Sequence, residues 1–192
     1  RTVELLRVSA ETRAKYNDRY RYILVDEYQD TNSLQLALVK HLTEKQQNIC
    51  VVGDDAQSIY GFRQADIRNI LEFEQQFPDA KVILLEQNYR STQTILDAAH
   101  SIIENNQNQK KKKLWTHNPG GERILYFQAM DGDAEGRFVA SRIEDHRRRD
   151  ASKRIAVLYR TNAQSRVFEE SLRRLRIDYN IVGGFSFYER AE

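Results

Sequence analysis

Three apolar runs, Tyr22–Val25, Ile49–Val52 and Val82–Leu85, each break off into a cluster of acids, amides and aromatics. Such short runs read as buried strands. The segments between them carry helical spacing. Leu34, Leu38 and Leu42 recur every fourth residue behind the cap candidates Thr31, Asn32 and Ser33. Ile67, Ile70, Leu71 and Phe77 share a face that stops at Pro78. Ser91 or Thr92 caps a stretch with Ile95, Ala98, Ala99, Ile102 and Ile103 on its buried side. The first 19 residues read as helix ending in a charged connector. The alternation continues with a strand at Ile124–Phe127, a helix from Ala134 to about Arg148 presenting Phe138, Val139 and Ile143, and a strand at Ile155–Tyr159. A helix with Val167, Phe168, Leu172 and Leu175 follows, and Tyr179–Val182 closes as a strand. This order predicts an α/β fold with parallel sheets and right-handed crossovers.

Open α/β sheets bind ligands beyond the carboxyl ends of their strands. Asp26 and Glu27 stand at the first such end, in Val25-Asp26-Glu27-Tyr28-Gln29-Asp30-Thr31-Asn32. Adjacent acids there suit nucleotide hydrolysis: one carboxylate for Mg²⁺, the other for the attacking water. Taken alone, the dipeptide is more often a solvated pair at a strand end. The second run leads into Gly53-Asp54-Asp55-Ala56-Gln57-Ser58-Ile59-Tyr60-Gly61-Phe62-Arg63, and the third into Glu86-Gln87-Asn88-Tyr89-Arg90-Ser91-Thr92.

These three blocks, in this order, resemble motifs II, III and IV of superfamily-one DNA helicases of the UvrD/Rep/PcrA type, with the PcrA group the most similar. Tyr159–Arg166 and Ile181–Tyr188 resemble the family's motif IVa region, so the likeness runs over nearly the whole chain. The resemblance implies RecA-like (P-loop NTPase) architecture, with 1–90 as the later part of domain 1A and 91–192 as the opening part of domain 2A. It implies a 3′ to 5′ ATP-dependent translocase on single-stranded DNA and at single/double-strand junctions, acting in repair or replication. Repair or replication proteins are the implied partners, and the setting is the bacterial cytoplasm at the nucleoid.

Residue by residue, the resemblance makes Asp26 the Mg²⁺ ligand and Glu27 the base. Gln29 and Asp30 couple the nucleotide site to its neighbours, or Asp30 simply caps the next helix. Gln57 reads the γ-phosphate, Arg90 contacts it as a planar fork, and Tyr89 stacks on the adenine of ATP. Asp54 holds its loop together. Tyr60, Phe62 and Arg63 line the DNA track, where aromatic faces accept any base. Arg160 and Asn162 meet the DNA backbone, or cap a helix. Two departures bear on the DNA grip: Phe62 stands where the family has tryptophan, and Arg63-Gln64-Ala65 where it has Arg-Gly-Ala.

A phosphate-cradling loop of the form G-x-x-x-x-G-K-[ST] is part of such an enzyme. None of the eight glycines here is followed by lysine. Motifs V and VI of the family are absent as well. With Arg1 at the start and Met130 as the single methionine, the chain is expected to be an internal piece of a longer protein, inactive or nearly so by itself. A non-catalytic DNA- or protein-binding module is the rival reading, and part of a helicase–nuclease subunit a further one. Net charge is only +2, so nucleic-acid binding must come from local patches. Lys110–Lys113 is such a run, although runs of this kind are mostly solvated. His41, His100, His117 and His146 lack metal-ligand spacing, Cys50 reads as a lone core residue, and no zinc site is expected. No apolar run approaches the ~18 residues of a membrane span.

Overall fold

The structure is a computed structural model, and it describes residues 1–182. The chain divides into two compact units, Arg1–Ile124 and Leu125–Glu192. The junction expected from sequence lies near Arg90, ahead of this division.

In the first unit, α1 (Thr2–Val8) and α2 (Ala10–Arg19) meet at Ser9, whose Oγ accepts the Thr12 N–H at 3.2 Å. The expected single helix is therefore two, because Ser9 offers the backbone a cap. β1 (Ile23–Val25) and β2 (Ile49–Val51) pair in parallel, Ile23 opposite Ile49 and Val25 opposite Val51. The crossover between them is α3 (Ser33–Thr43). Asn32 caps α3 in a capping box with Gln35, which satisfies donors that a helix start leaves open. Asn17 pins α2 to this crossover by donating to the His41 carbonyl at 2.8 Å and accepting from the Lys45 N–H at 3.0 Å. Further on come α4 (Arg68–Leu71), α5 (Phe73–Gln76) and α6 (Gln93–Ile103). The expected helix ahead of Pro78 is thus broken, at Glu72. Tyr28 is fully buried with Phe73 edge-on to its ring, and Leu6, Val39 and Leu96 are buried as well.

The second unit is built on α7 (Gly132–Arg149) packed against α8 (Ser165–Arg174). Ala140, Ile143, Leu172 and Ile177 form its core, with Val139, Val157 and Tyr179 against them. Gly136 lets the two helices approach, since a Cβ there would lie 2.6 Å from Ser171 Oγ and 2.8 Å from the Val167 carbonyl.

Several expectations need correction. Among the described residues only β1 and β2 form a ladder; Val82–Leu85, Ile124–Phe127, Ile155–Tyr159 and Tyr179–Val182 do not. An apolar run carries the propensity for a strand but not the neighbour whose backbone groups it must pair with. The one further bridge joins Gln87 to Trp115 in parallel. The expected burial also fails on the open sheet faces: Leu24 is 78 % exposed, and Cys50 is exposed rather than core. On α6 only Leu96 is buried, while Ile95 and Ile102 face solvent; on α3 Leu34 is exposed and Val39 and Thr43 are buried instead. Gly183–Tyr188, which carries part of the motif IVa likeness, lies outside the described residues. Among the described residues no helix is long and apolar enough to cross a membrane.

Candidate nucleotide and nucleic-acid site

β1 delivers Asp26 and Glu27 past its carboxyl end. The chain then reverses: Glu27 adopts the left-handed conformation at φ 49° and ψ 43°, with its N–H bonded to Asp26 Oδ1 at 2.9 Å. A non-glycine residue held there is strained, and such strain gathers at functional positions. The turn Tyr28–Asp30 follows, and the Tyr28 N–H donates to the Val52 carbonyl at 3.0 Å, extending the parallel pairing past both strand ends. Thr31 closes the turn by donating to the Tyr28 carbonyl at 2.7 Å. Asn69 of α4 in turn donates to the Thr31 carbonyl and hydroxyl at 3.0 and 3.1 Å.

Gln29 joins the first strand end to the second. Its amide Nε2 donates to Glu27 Oε2 at 2.7 Å, and its Oε1 accepts the Asp54 N–H at 3.0 Å. Gly53 makes this approach possible: a Cβ there would sit 2.6 Å from Gln29 Oε1 and 2.8 Å from Ile70 Cδ1. Asp54 caps the turn Asp55–Gln57 through the Ala56 N–H at 3.0 Å, and its Oδ2 accepts Gln57 Nε2 at 2.8 Å. Glu27, Gln29, Asp54 and Gln57 are thus one hydrogen-bonded chain across two strand ends. Asp30 does not cap α3; its Oδ1 is buried without a partner among the described residues.

Sequence reasoning missed Lys112. Lys111 and Lys113 stay exposed as expected of a solvated run, but Lys110 and Lys112 turn back to this part of the unit. Lys112 Nζ lies 2.5 Å from Asp54 Oδ1 and 2.8 Å from Asp55 Oδ1. The Lys110 N–H donates to Asp55 Oδ2 at 2.9 Å, and its ammonium pairs with Glu74. Burial pushes the Asp54 carboxyl up, but the bonds from Lys112 and Gln57 outweigh it and hold it below the usual range. Burial lowers the Lys112 ammonium, and the two aspartates more than reverse this, so it ends above its ordinary value. No signal in a lysine run tells which of its ammonium groups finds acids more than 50 residues earlier.

Tyr60, Phe62 and Arg63 do come together. Their ring centroids are 5.9 Å apart, and the Arg63 guanidinium lies 4.8 Å from the Tyr60 ring and 5.4 Å from the Phe62 ring. Phe62 is 73 % exposed, so this cluster is a surface rather than core packing. Its turn, Gly61–Arg63, ends on Gln64 in the left-handed region at φ 68°. Tyr89 is 79 % exposed with its hydroxyl donating to Gln87 Oε1 at 2.9 Å, and Arg90 is exposed with its N–H on Asn88 Oδ1. Among the described residues no hydrogen bond or ion pair joins either to Asp26 or Glu27. In the second unit Arg160 and Asn162 are exposed beside a turn whose capping is done by Thr161 and Gln164.

As a cation site, the end of β1 offers exposed carboxylate oxygens and no soft ligand. Among the described residues no three His, Cys, Asp or Glu gather into a self-sufficient metal cage. Such a donor set fits Mg²⁺, which takes one or two carboxylates and fills its remaining positions with water and phosphate oxygen.

The profile of the UvrD/REP helicase N-terminal domain matches residues 1–78, and that of the UvrD-like helicase C-terminal domain matches residues 83–192. The ATP-dependent DNA helicase PcrA of Bacillus subtilis (strain 168) is 53 % identical over 195 residues, covering 100 % of this chain and 26 % of the relative. Those of Staphylococcus epidermidis (strain ATCC 12228 / FDA PCI 1200) and Staphylococcus aureus (strain NCTC 8325 / PS 47) are each 51 % identical over 192 residues, with the same coverage. The chain therefore spans about a quarter of the length of these relatives. On the strength of both profile matches, the chain belongs to the UvrD-like helicase family.

Proposed function

We propose that this chain is the part of an ATP-dependent, 3′ to 5′ DNA helicase in which two RecA-like domains, 1A and 2A, follow one another. The hydrogen-bonded chain Glu27–Gln29–Asp54–Gln57 carries the reading, because it ties an acid pair to a phosphate-reading amide across two parallel strand ends. The Tyr60–Phe62–Arg63 cluster follows directly on the same loop, with Phe62 open to solvent.

In this reading Glu27 orients the attacking water and accepts its proton, while Gln29 fixes the carboxylate that does so. Asp26 would hold Mg²⁺, which supplies charge neutralisation on the phosphates when bound. Gln57 and Arg90 donate to the γ-phosphate, where charge develops. Tyr89 offers an uncovered ring for the adenine. Phe62 and Tyr60 stack on bases without sequence preference, and Arg63 meets phosphate. Arg160 and Asn162 add contacts to the DNA backbone.

The test is Mg²⁺-dependent ATP turnover by the full-length polypeptide carrying this segment, with and without single-stranded DNA, beside Glu27→Gln. Turnover stimulated by DNA and lost in Glu27→Gln is the expected result. Full-length protein that neither hydrolyses ATP nor binds DNA would refute the reading, and binding without hydrolysis would favour the non-catalytic module. The isolated 192-residue chain, having no phosphate-cradling loop in its sequence, is expected to turn over ATP poorly.

A further inference from the structure

Lys110–Lys113 belongs to none of the nucleotide or DNA motifs, yet it closes over the turn that carries Gln57. One ammonium, on Lys112, serves both Asp54 and Asp55, and the Lys112 side chain is only 20 % exposed. Asp54 receives Lys112 and the Ala56 N–H on one oxygen and the Gln57 amide on the other. Asp55 is more deeply buried and also takes the Lys110 N–H. Two neighbouring, partly buried carboxylates without a cation repel one another, and each must recover a proton or water. Bonds to charged groups are the strong, directional ones. Lys112 and the Ala56 N–H together fix the Asp54 carboxylate that holds the Gln57 amide, and Lys112 is the charged one of the two.

We infer that Lys112 is a positioning residue for Gln57, acting through Asp54. The inference rests on the reading of Gln57 as the γ-phosphate contact. A lysine that merely braces the fold would change stability when replaced; a lysine that positions Gln57 changes the chemical step in protein that remains folded.

The experiment compares Lys112→Met, Lys112→Arg, Gln57→Ala and the Lys112→Met/Gln57→Ala pair in the full-length polypeptide, well below each melting temperature. Steady-state ATP hydrolysis is followed with and without single-stranded DNA. Lys112→Met is expected to lower the DNA-stimulated kcat by about tenfold or more, with KM for ATP within about twofold. Lys112→Arg recovers most of the loss, since a guanidinium can also bridge two carboxylates. The double variant is no slower than Gln57→Ala alone, the signature of residues working as one unit. Wild-type kcat in folded Lys112→Met, or losses that multiply in the double variant, overturns the inference. If Lys112→Met does not fold, Lys112→Gln, which removes the charge and keeps a neutral amide, is read by the same criteria. Absence of DNA-stimulated turnover before any substitution is a different failure, and it removes the underlying reading of the site.

Discussion

The side chain of Gln29 accepts the backbone N–H of Asp54 at 3.0 Å, so a residue after β1 holds the chain after β2. The same amide donates to Glu27 at 2.7 Å, and the side chain is 1 % exposed. Gln29→Ala takes the acceptor from the half-buried Asp54 N–H, while the exposed Glu27 carboxylate turns to water, and is predicted to cost about 1–3 kcal/mol in urea unfolding of this chain. Gln29→Glu sets a second carboxylate against Glu27, and two like charges that close cannot both ionise cheaply. Its stability is predicted to fall as pH rises through the carboxylate range, while Gln29→Ala shows no such slope. Parallel pH dependence in the two variants would mean that Gln29 does not face Glu27 in solution.

Gly53 is the second point where the two loops depend on close approach. A Cβ there would meet Gln29 Oε1 at 2.6 Å, Ile70 Cδ1 at 2.8 Å and the Tyr28 backbone nitrogen at 3.2 Å. The Tyr28 nitrogen cannot retreat without breaking its bond to the Val52 carbonyl. Gly53→Ala is predicted to destabilise by about 1–3 kcal/mol, the usual cost of overpacking. An unchanged urea midpoint would show that the loops stand farther apart.

The Asp54–Lys112 pair sets a pH window. The folded Asp54 carboxyl lies below its ordinary value near 3.8, so its contribution is present above that value and is lost as pH falls through the folded one. The folded Lys112 ammonium lies above 10.5, so its contribution is complete below that value and is lost as pH rises through the folded one. From about pH 5 to about pH 9 the pair contributes in full. In Lys112→Met the burial that pushes Asp54 up is no longer opposed by the ammonium, and the acid limb of stability is predicted to begin at higher pH. Urea midpoints across the acid range check this. Coincident acid limbs for wild type and variant would place Lys112 elsewhere.

Local chemistry made much of this fold legible, and pairing partners made the rest illegible. The Asn32 capping box and the long α7 follow from caps and 3.6-residue spacing, which are properties of one segment. The acids after β1 were legible as a local feature, since they sit directly behind an apolar run, whereas Gln57, five residues past Val52, was singled out by the family resemblance. Val82–Leu85 is built from the same three residue types as β1, yet a strand also needs a neighbour, and no residue within the run says whether one is present. Cys50 and Leu24 were misread likewise, because burial depends on what covers the sheet. Lys112 was hidden because its partners are far away along the chain and its neighbours Lys111 and Lys113 share its type.

Gln64 occupies a backbone conformation that suits glycine. It holds φ 68° and ψ 17° at the end of the Gly61–Arg63 turn, with its N–H on the Gly61 carbonyl at 2.9 Å. For a residue with a Cβ this region costs about 1–2 kcal/mol. Gln64→Gly removes that cost, and the greater freedom of glycine in the unfolded chain offsets part of the gain. The net prediction is a stabilisation of about 0.5–1 kcal/mol, read from urea unfolding. The turn geometry stays the same, so Arg63 stays over the Tyr60 and Phe62 rings. Single-stranded DNA affinity of the full-length polypeptide is accordingly predicted to remain within about twofold in Gln64→Gly, whereas Phe62→Ala, which removes a stacking face, loses about 1–3 kcal/mol of binding. Fluorescence anisotropy with an oligothymidine at fixed salt reads both. If Gln64→Gly weakened binding as much as Phe62→Ala, the Gln64 side chain itself would be a DNA contact, and its departure from the family's glycine a functional one.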